Sequence, residues 1–302
     1  MSYPIIQLPD DAPTQLEQLG TKTKFWFRDQ DGRSMLFKEG RPGTGENWAE
    51  KVCCEICQLL DIPHASYELA VWKGQEGVVS PIFVPEGARL VFGNELLAKI
   101  IDDYEEGKRY KVRQHTVRTV MAVAASKFVG LPLGWVAPAA IKDAAGLFAG
   151  YLMLDALVSN QDRHHENWGL IFVPDQGVFF APTFDHASSL GRNETDKVRI
   201  EMLTTRDRGR SVEAYVGRAI SALYASPSSS RPLGTLEAFT EAAKIRSDAA
   251  SYWMGRLANI NLEEFRAILT EVPDTEISAP ARDFACRMLE VNRQRILKHL
   301  GS

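Results

Sequence analysis

Two stretches hold the residues best able to do chemistry. They are Ser159-Asn160-Gln161-Asp162-Arg163-His164-His165-Glu166-Asn167-Trp168-Gly169 and Pro182-Thr183-Phe184-Asp185. An Asp, an Asn five residues later and a second Asp closing an apolar run make the arrangement that phosphoryl transfer uses. Asp162 can orient a hydroxyl and accept its proton. Asn167 and Asp185 offer hard oxygen donors of the kind Mg2+ takes, because that ion keeps several waters and needs few protein ligands. Any one of these residues alone is an ordinary turn former. The three together point to ATP and Mg2+ as the cofactors. Leu170–Val173 and Phe179–Ala181 read as short strands around Pro174-Asp175-Gln176-Gly177, a hairpin that folds Asp185 back beside Asn167. His164 and His165 are neighbours that do not readily face one ion, and the other four of the six histidines are scattered, which argues against zinc.

A bound nucleotide also needs a cation on its phosphates, normally a strand lysine paired with a helix glutamate. Lys38 ends the apolar run Ser34–Glu39, and Glu50 falls on a helix predicted over Glu46–Leu60 that stops at Asp61-Ile62-Pro63. Glu46, one turn earlier, competes with Glu50 for the lysine. Thr21 and Thr23, in Gly20-Thr21-Lys22-Thr23-Lys24, precede the first strand where a loop can cover phosphates. Gly40, Gly43 and Gly45 do not make a P-loop, since the Gly-Lys-Ser/Thr ending is missing and Glu46 stands at the lysine position. No G-x-G-x-x-G dinucleotide fingerprint is present.

The elements that must position these residues divide in two. Residues 1–92 alternate short apolar runs with turn signals. Lys24–Arg28 and Ser34–Glu39 flank Asp29-Gln30-Asp31-Gly32 as a hairpin, and further strands are expected over Ala65–Trp72 and Gly77–Val84. Residues 93–302 read as mostly helical, with helices over about 94–103, 113–129 and 144–159, then 211–225, 235–245, 247–258, 261–270 and 280–299. Gly191–Arg210 is polar and charged and reads as a mobile loop, and Ser226–Pro232 as a surface linker. The expected fold is therefore α+β and bilobal: a small mixed sheet with one helix, then a larger helical lobe carrying loop 159–169 and Asp185.

Composition is compatible with this division. At 302 residues and 45% hydrophobic content the chain can bury a large core, in one domain or two lobes. A net charge of -4 gives no broad basic field, so direct nucleic-acid binding is not expected. No run of eighteen apolar residues and no leader-like N-terminus is seen, and a cytoplasmic protein without membrane contact is the expectation. Of the four cysteines, Cys53, Cys54 and Cys57 fall on the apolar pattern of the Glu46–Leu60 helix, which favours buried small residues over a metal or redox site.

Together these residues resemble the HipA family of serine/threonine kinases, which are remotely related to phosphatidylinositol kinases and protein kinases. Leu36-Phe37-Lys38 resembles the family's ATP-lysine strand, and Ala49-Glu50-Lys51 with Leu59–Pro63 its helix. Val78–Val84 resembles the strand into the hinge, and Gly93-Asn94-Glu95-Leu96 the opening of the helical lobe. The resemblance implies a protein kinase-like fold and ATP- and Mg2+-dependent phosphorylation of a protein hydroxyl. It gives Asp162 the role of base, Asn167 and Asp185 that of metal ligands, and Lys38 that of phosphate ligand. It further implies a toxin–antitoxin setting, with a translation factor or aminoacyl-tRNA synthetase as substrate and a DNA-binding antitoxin as partner. Family toxins carry about a hundred further N-terminal residues, whereas this sequence begins almost at the nucleotide loop. Where the family often has Asp-Gly-His, this sequence has Asp162-Arg163-His164, closer to lipid kinases and actin-fragmin kinase. Thr21 and Thr23 are the hydroxyls nearest to the family's regulatory serine. Three other activities fit the same residues: a lipid or small-molecule kinase, a protein nucleotidyltransferase binding ATP in reverse, and an ATP-binding module without turnover.

Overall fold

The computed structural model describes residues 2–16 and 23–298, apart from the side chains of Gln15 and Leu16. Thr21 lies outside the described residues; Thr23 is half-buried just before a strand.

Alternating apolar residues build the N-terminal sheet. Its strands are β1 (Ile5–Leu8), β2 (Gln15–Leu16), β3 (Lys24–Arg28), β4 (Ser34–Glu39), β5 (Glu68–Trp72) and β6 (Gln75–Pro81). They lie in the order β1-β5-β6-β4-β3-β2, with β1 parallel to β5 and the other pairs antiparallel, so the sheet is mixed. The β3–β4 hairpin forms where expected. The Asp29 carboxylate accepts the amides of Asp31 and Arg33 at 3.0 and 2.8 Å, and Gly32 takes the left-handed backbone at φ 77°. One face of this sheet buries Phe25, Phe27 and Phe37, with Phe25 stacked on Phe37 at 4.9 Å. The pleat then turns Lys38 to the opposite face, where α1 (Glu46–Leu60) packs. Helix α1 ends with Asp61 in the left-handed region, its amide reaching the carbonyls of Cys57 and Gln58.

The second part carries its own four-stranded sheet, in the order β7 (Arg89–Phe92), β9 (Gly169–Val173), β10 (Gly177–Phe180) and β8 (Val129–Gly130). Strand β7, within residues 1–92, therefore pairs with β9 of the hairpin that follows loop 159–169. Around it stand α2 (Gly93–Ile100), α3 (Val117–Ala124), α4 (Ala144–Val158), α5 (Asp196–Thr204), α6 (Val212–Gly217), α7 (Thr235–Ile245), α8 (Ser247–Asn259), α9 (Leu262–Glu271) and α10 (Ala279–Leu297). Every residue of α4 is buried, and α3, α7, α8 and α10 pack around it. Gly150 permits that crowding. A Cβ there would stand 2.5 Å from the Trp253 ring, whose indole N–H donates to the Gly146 carbonyl at 2.9 Å.

Several elements differ from expectation. Strands β1, β2, β7 and β8 are too short or too weakly patterned to show in the sequence. The 113–129 helix runs only over Val117–Ala124, capped by Thr116, because Val129–Gly130 is drawn into the sheet beside β10. The 211–225 helix stops at Gly217, after which Ile220 and Tyr224 bridge to Gly234 and Thr116. Gly191–Arg210 is not an unstructured loop. Thr195 caps α5 by accepting the Val198 amide, and Arg208–Arg210 forms a 3-10 turn. Among the described residues no helix is long and apolar enough to cross a membrane.

Candidate active site

Lys38, Glu50 and Asp185 converge from three separate segments. The Lys38 ammonium donates to Asp185 Oδ1 at 3.0 Å and lies 3.6 Å from Glu50 Oε2. Glu50 is buried, and its other oxygen accepts the His186 amide at 2.6 Å, which ties α1 to the residue after Asp185. Glu50 Oε2 has no hydrogen-bond partner, so the nearby ammonium is its compensation. Asp185 sits in the left-handed region at φ 61°, uncommon for a residue with a side chain. Burial pushes its carboxyl up, but the charge and hydrogen bond of Lys38 outweigh this and hold it far below the usual carboxylate range. Burial likewise opposes the charge on Lys38, and Asp185, Tyr67 and Glu50 more than restore it. Glu46, the competing partner, does not reach Lys38; it pairs with Arg192.

Loop 159–169 is tied to the core by Arg163. Its guanidinium is fully buried and grips the Asp155 carboxylate of α4 with two bonds of 2.8 Å. Its third arm donates to the Asn167 carbonyl at 2.8 Å, and Asp155 also accepts the Asn160 amide group at 2.8 Å. Planar, bidentate pairing of this kind fixes orientation as well as charge. Behind the loop, the Trp168 indole donates to His115 Nε2 at 3.0 Å, and Tyr104 meets His165 Nδ1 at 2.7 Å. Burial lowers His115 to about 3 and His164 to about 4, so both rings are neutral. Among the described residues no three His, Cys, Asp or Glu side chains group as metal ligands.

Asp162 faces a cavity of about 260 Å³ lined in part by Tyr110, Ser188, Arg192 and Tyr215. Tyr110 donates to its Oδ1 at 2.9 Å and Ser188 to its Oδ2 at 3.3 Å. Arg192 in turn donates to the Ser188 hydroxyl at 3.0 Å, so Glu46, Arg192, Ser188 and Asp162 form one chain of contacts. Burial raises the Asp162 carboxyl above the ordinary value, and the Asp185 charge adds to this against the opposing bond from Tyr110. The Asn167 amide nitrogen is committed to the Asp162 carbonyl at 2.7 Å, which leaves the side-chain oxygen as the atom able to accept a metal. That oxygen and the free oxygen of Asp185 are the hard donors Mg2+ takes, so the residues present fit the ion.

The structure thus brings Lys38, Glu50 and Asp185 into direct contact and links Asp162 to Asn167. Thr23 precedes β3, and Thr21 lies outside the described residues. Asp155, Arg163, Tyr110, Ser188 and Arg192 were not singled out as site residues from the sequence. A visible signal existed for the first pair: Asp155 is the only charged residue in the fifteen of α4, and a buried charge must find a partner.

No family model matches the sequence, and no curated protein matches it. Solved structures do. The crystal structure of the Helicobacter pylori proinflammatory kinase CtkA superposes with a TM-score of 0.73 at 19% identity, covering 98% of this chain and 99% of that one. HipA of the Shewanella oneidensis MR-1 toxin–antitoxin system, solved with HipB and operator DNA, gives a TM-score of 0.58 at 14% identity. That match covers 97% of this chain and 67% of HipA. The chain has the HipA-like kinase fold, a sheet-built N-terminal part followed by a helical one.

Proposed function

We propose that this protein is an ATP- and Mg2+-dependent kinase that transfers the γ-phosphate to a serine or threonine hydroxyl of another protein. One observation carries the proposal: a strand lysine held between a helix glutamate and an aspartate just past the β9–β10 hairpin, Lys38 with Glu50 and Asp185. Phosphoryl transfer is mostly positioning and charge neutralisation, and this side of the site supplies both. Lys38 receives the nucleotide phosphates while Glu50 holds its ammonium in place. Asn167 and Asp185 would hold Mg2+, which when bound neutralises charge on the β- and γ-phosphates. Asp162 accepts the acceptor hydroxyl's proton as the new bond forms, with Ser188 orienting the carboxylate.

A protein acceptor, a toxin role and an antitoxin partner enter by analogy. HipA is described with HipB and DNA, and CtkA as proinflammatory, so two neighbours of one fold work in different settings. ATP labelled at the γ- or at the α-phosphate separates the main alternatives. Label on protein from γ-ATP alone is the expected result. Label from α-ATP would mean nucleotidyl transfer, and label only on lipid or small molecules would mean another acceptor class.

The proton balance at Asp162 predicts a pH profile. The base must be ionised, and its folded pKa is raised, so kcat/KM should fall as pH drops through a midpoint above the usual aspartate value of about 4. Asp185 is held ionised well below that window, so the acid limb should follow a single proton. A limb with a slope of two on a logarithmic plot would show that a second group is lost with it.

A further inference from the structure

Tyr110 and Tyr215 both line the cavity in front of Asp162, and they are differently engaged. Tyr215 is hydrogen-bonded toward Glu194, whereas the Tyr110 hydroxyl donates to the Asp162 carboxylate at 2.9 Å. Tyr110 lies in the irregular stretch between α2 and α3, its ring edge-on to His164 at 5.5 Å and half open to solvent. A hydroxyl donating to the candidate base at this distance occupies the place of an acceptor substrate. A purely bracing role explains the contact less well. Asp162 is already oriented by Ser188 on its second oxygen, by Asn160 accepting its amide and by Asn167 donating to its carbonyl. A ring half in water adds little packing. Burial, reinforced by the Asp162 charge, pushes the phenol up to about 12, so the proton stays on the hydroxyl until transfer. Arg109 and Arg41 pull in the opposite direction, Arg109 while paired with Glu166 at 2.7 Å and Arg41 while 3.8 Å from Glu46.

We propose that Tyr110 is an acceptor for its own active site, so that the chain phosphorylates itself on this hydroxyl. The inference rests on the phosphoryl-transfer reading above. Tyr110 Oη forms a bond to the γ-phosphorus of ATP, and the bond from that phosphorus to the β,γ-bridging oxygen breaks. ADP leaves with the electron pair, and the phenolic proton passes to Asp162. The product sets two negative charges beside the Asp162 carboxylate, so the hydrogen bond across the mouth of the cavity is lost.

The test incubates the full chain with γ-labelled ATP and Mg2+ beside dephosphorylated casein, followed by peptide mapping of both proteins. Phosphotyrosine at position 110 is expected, with a per-molecule rate unchanged over about a hundredfold dilution, as an intramolecular step requires. Tyr110→Phe should lose self-label by about tenfold or more, the acceptor oxygen being absent. An Asp162→Asn chain mixed with the Tyr110→Phe enzyme should stay unlabelled. Label on serine or threonine of either protein with Tyr110 bare would overturn the inference and leave the kinase reading standing. Transfer to the Asp162→Asn chain would overturn the intramolecular step, and label on neither protein would overturn both readings. Mapping the unaltered chain decides the matter even if Tyr110→Phe folds poorly.

Discussion

Asp162→Asn should lower the rate of phosphoryl transfer by about 10²–10⁴-fold, the usual worth of a positioned base. The substitution keeps the shape of the side chain and removes its capacity to take a proton, and with one oxygen left to accept it keeps only one of the bonds from Tyr110 and Ser188. Nucleotide affinity should hold or tighten slightly. Asp162 makes no bond to Lys38, Glu50 or Asp185, and its charge is one that repels Asp185. Calorimetric titration with Mg2+-ATP beside a transfer assay reads both quantities. A variant that binds nucleotide normally and retains a third or more of its activity would remove Asp162 from the chemistry.

The second large effect is on stability. Arg163→Ala should cost about 3–5 kcal/mol, the range for breaking a buried ion pair from one side. The Asp155 carboxylate would be left inside α4 with only the Asn160 amide, and the Asn167 carbonyl would lose its donor. Removing both partners, Asp155→Ala with Arg163→Ala, should cost less than the sum of the singles, because no uncompensated charge remains. Denaturant midpoints of the three variants measure this. A loss under about 1 kcal/mol for Arg163→Ala, the level of an exposed pair, would show the loop to be anchored by something else.

Much of this site could be read before the chain was folded, and the reasons are local. Lys38 follows Phe37 in a strand whose alternation dictates opposite faces, and Glu50 sits on the helix that must cover one of them. A hairpin with its own turn signal separates the loop of Asp162 and Asn167 from Asp185, and its antiparallel pairing returns the chain toward that loop. Tyr110 and Ser188 were illegible because an irregular segment's path over the surface decides where they point, and no periodicity records that path. Gly191–Arg210 is an intermediate case. Its polarity hid a helix, yet Thr195 three residues before Val198 is an ordinary N-cap signal that polarity overshadowed. The short strands escaped for a different reason: two-residue pairings such as Val129–Gly130 are imposed by neighbours, not encoded by their own residues.

Helix α1 reaches the candidate site at two points one turn apart. Glu50 steadies Lys38, and Glu46 holds Arg192, which reaches Asp162 through Ser188. A rigid rod with two such attachments acts as a crank: a tilt or slide would disturb the lysine's counter-ion and the orientation of the base in one stroke. Donor and acceptor halves of the proposed reaction centre would then be geared together, so that neither comes into register while the other is out of it.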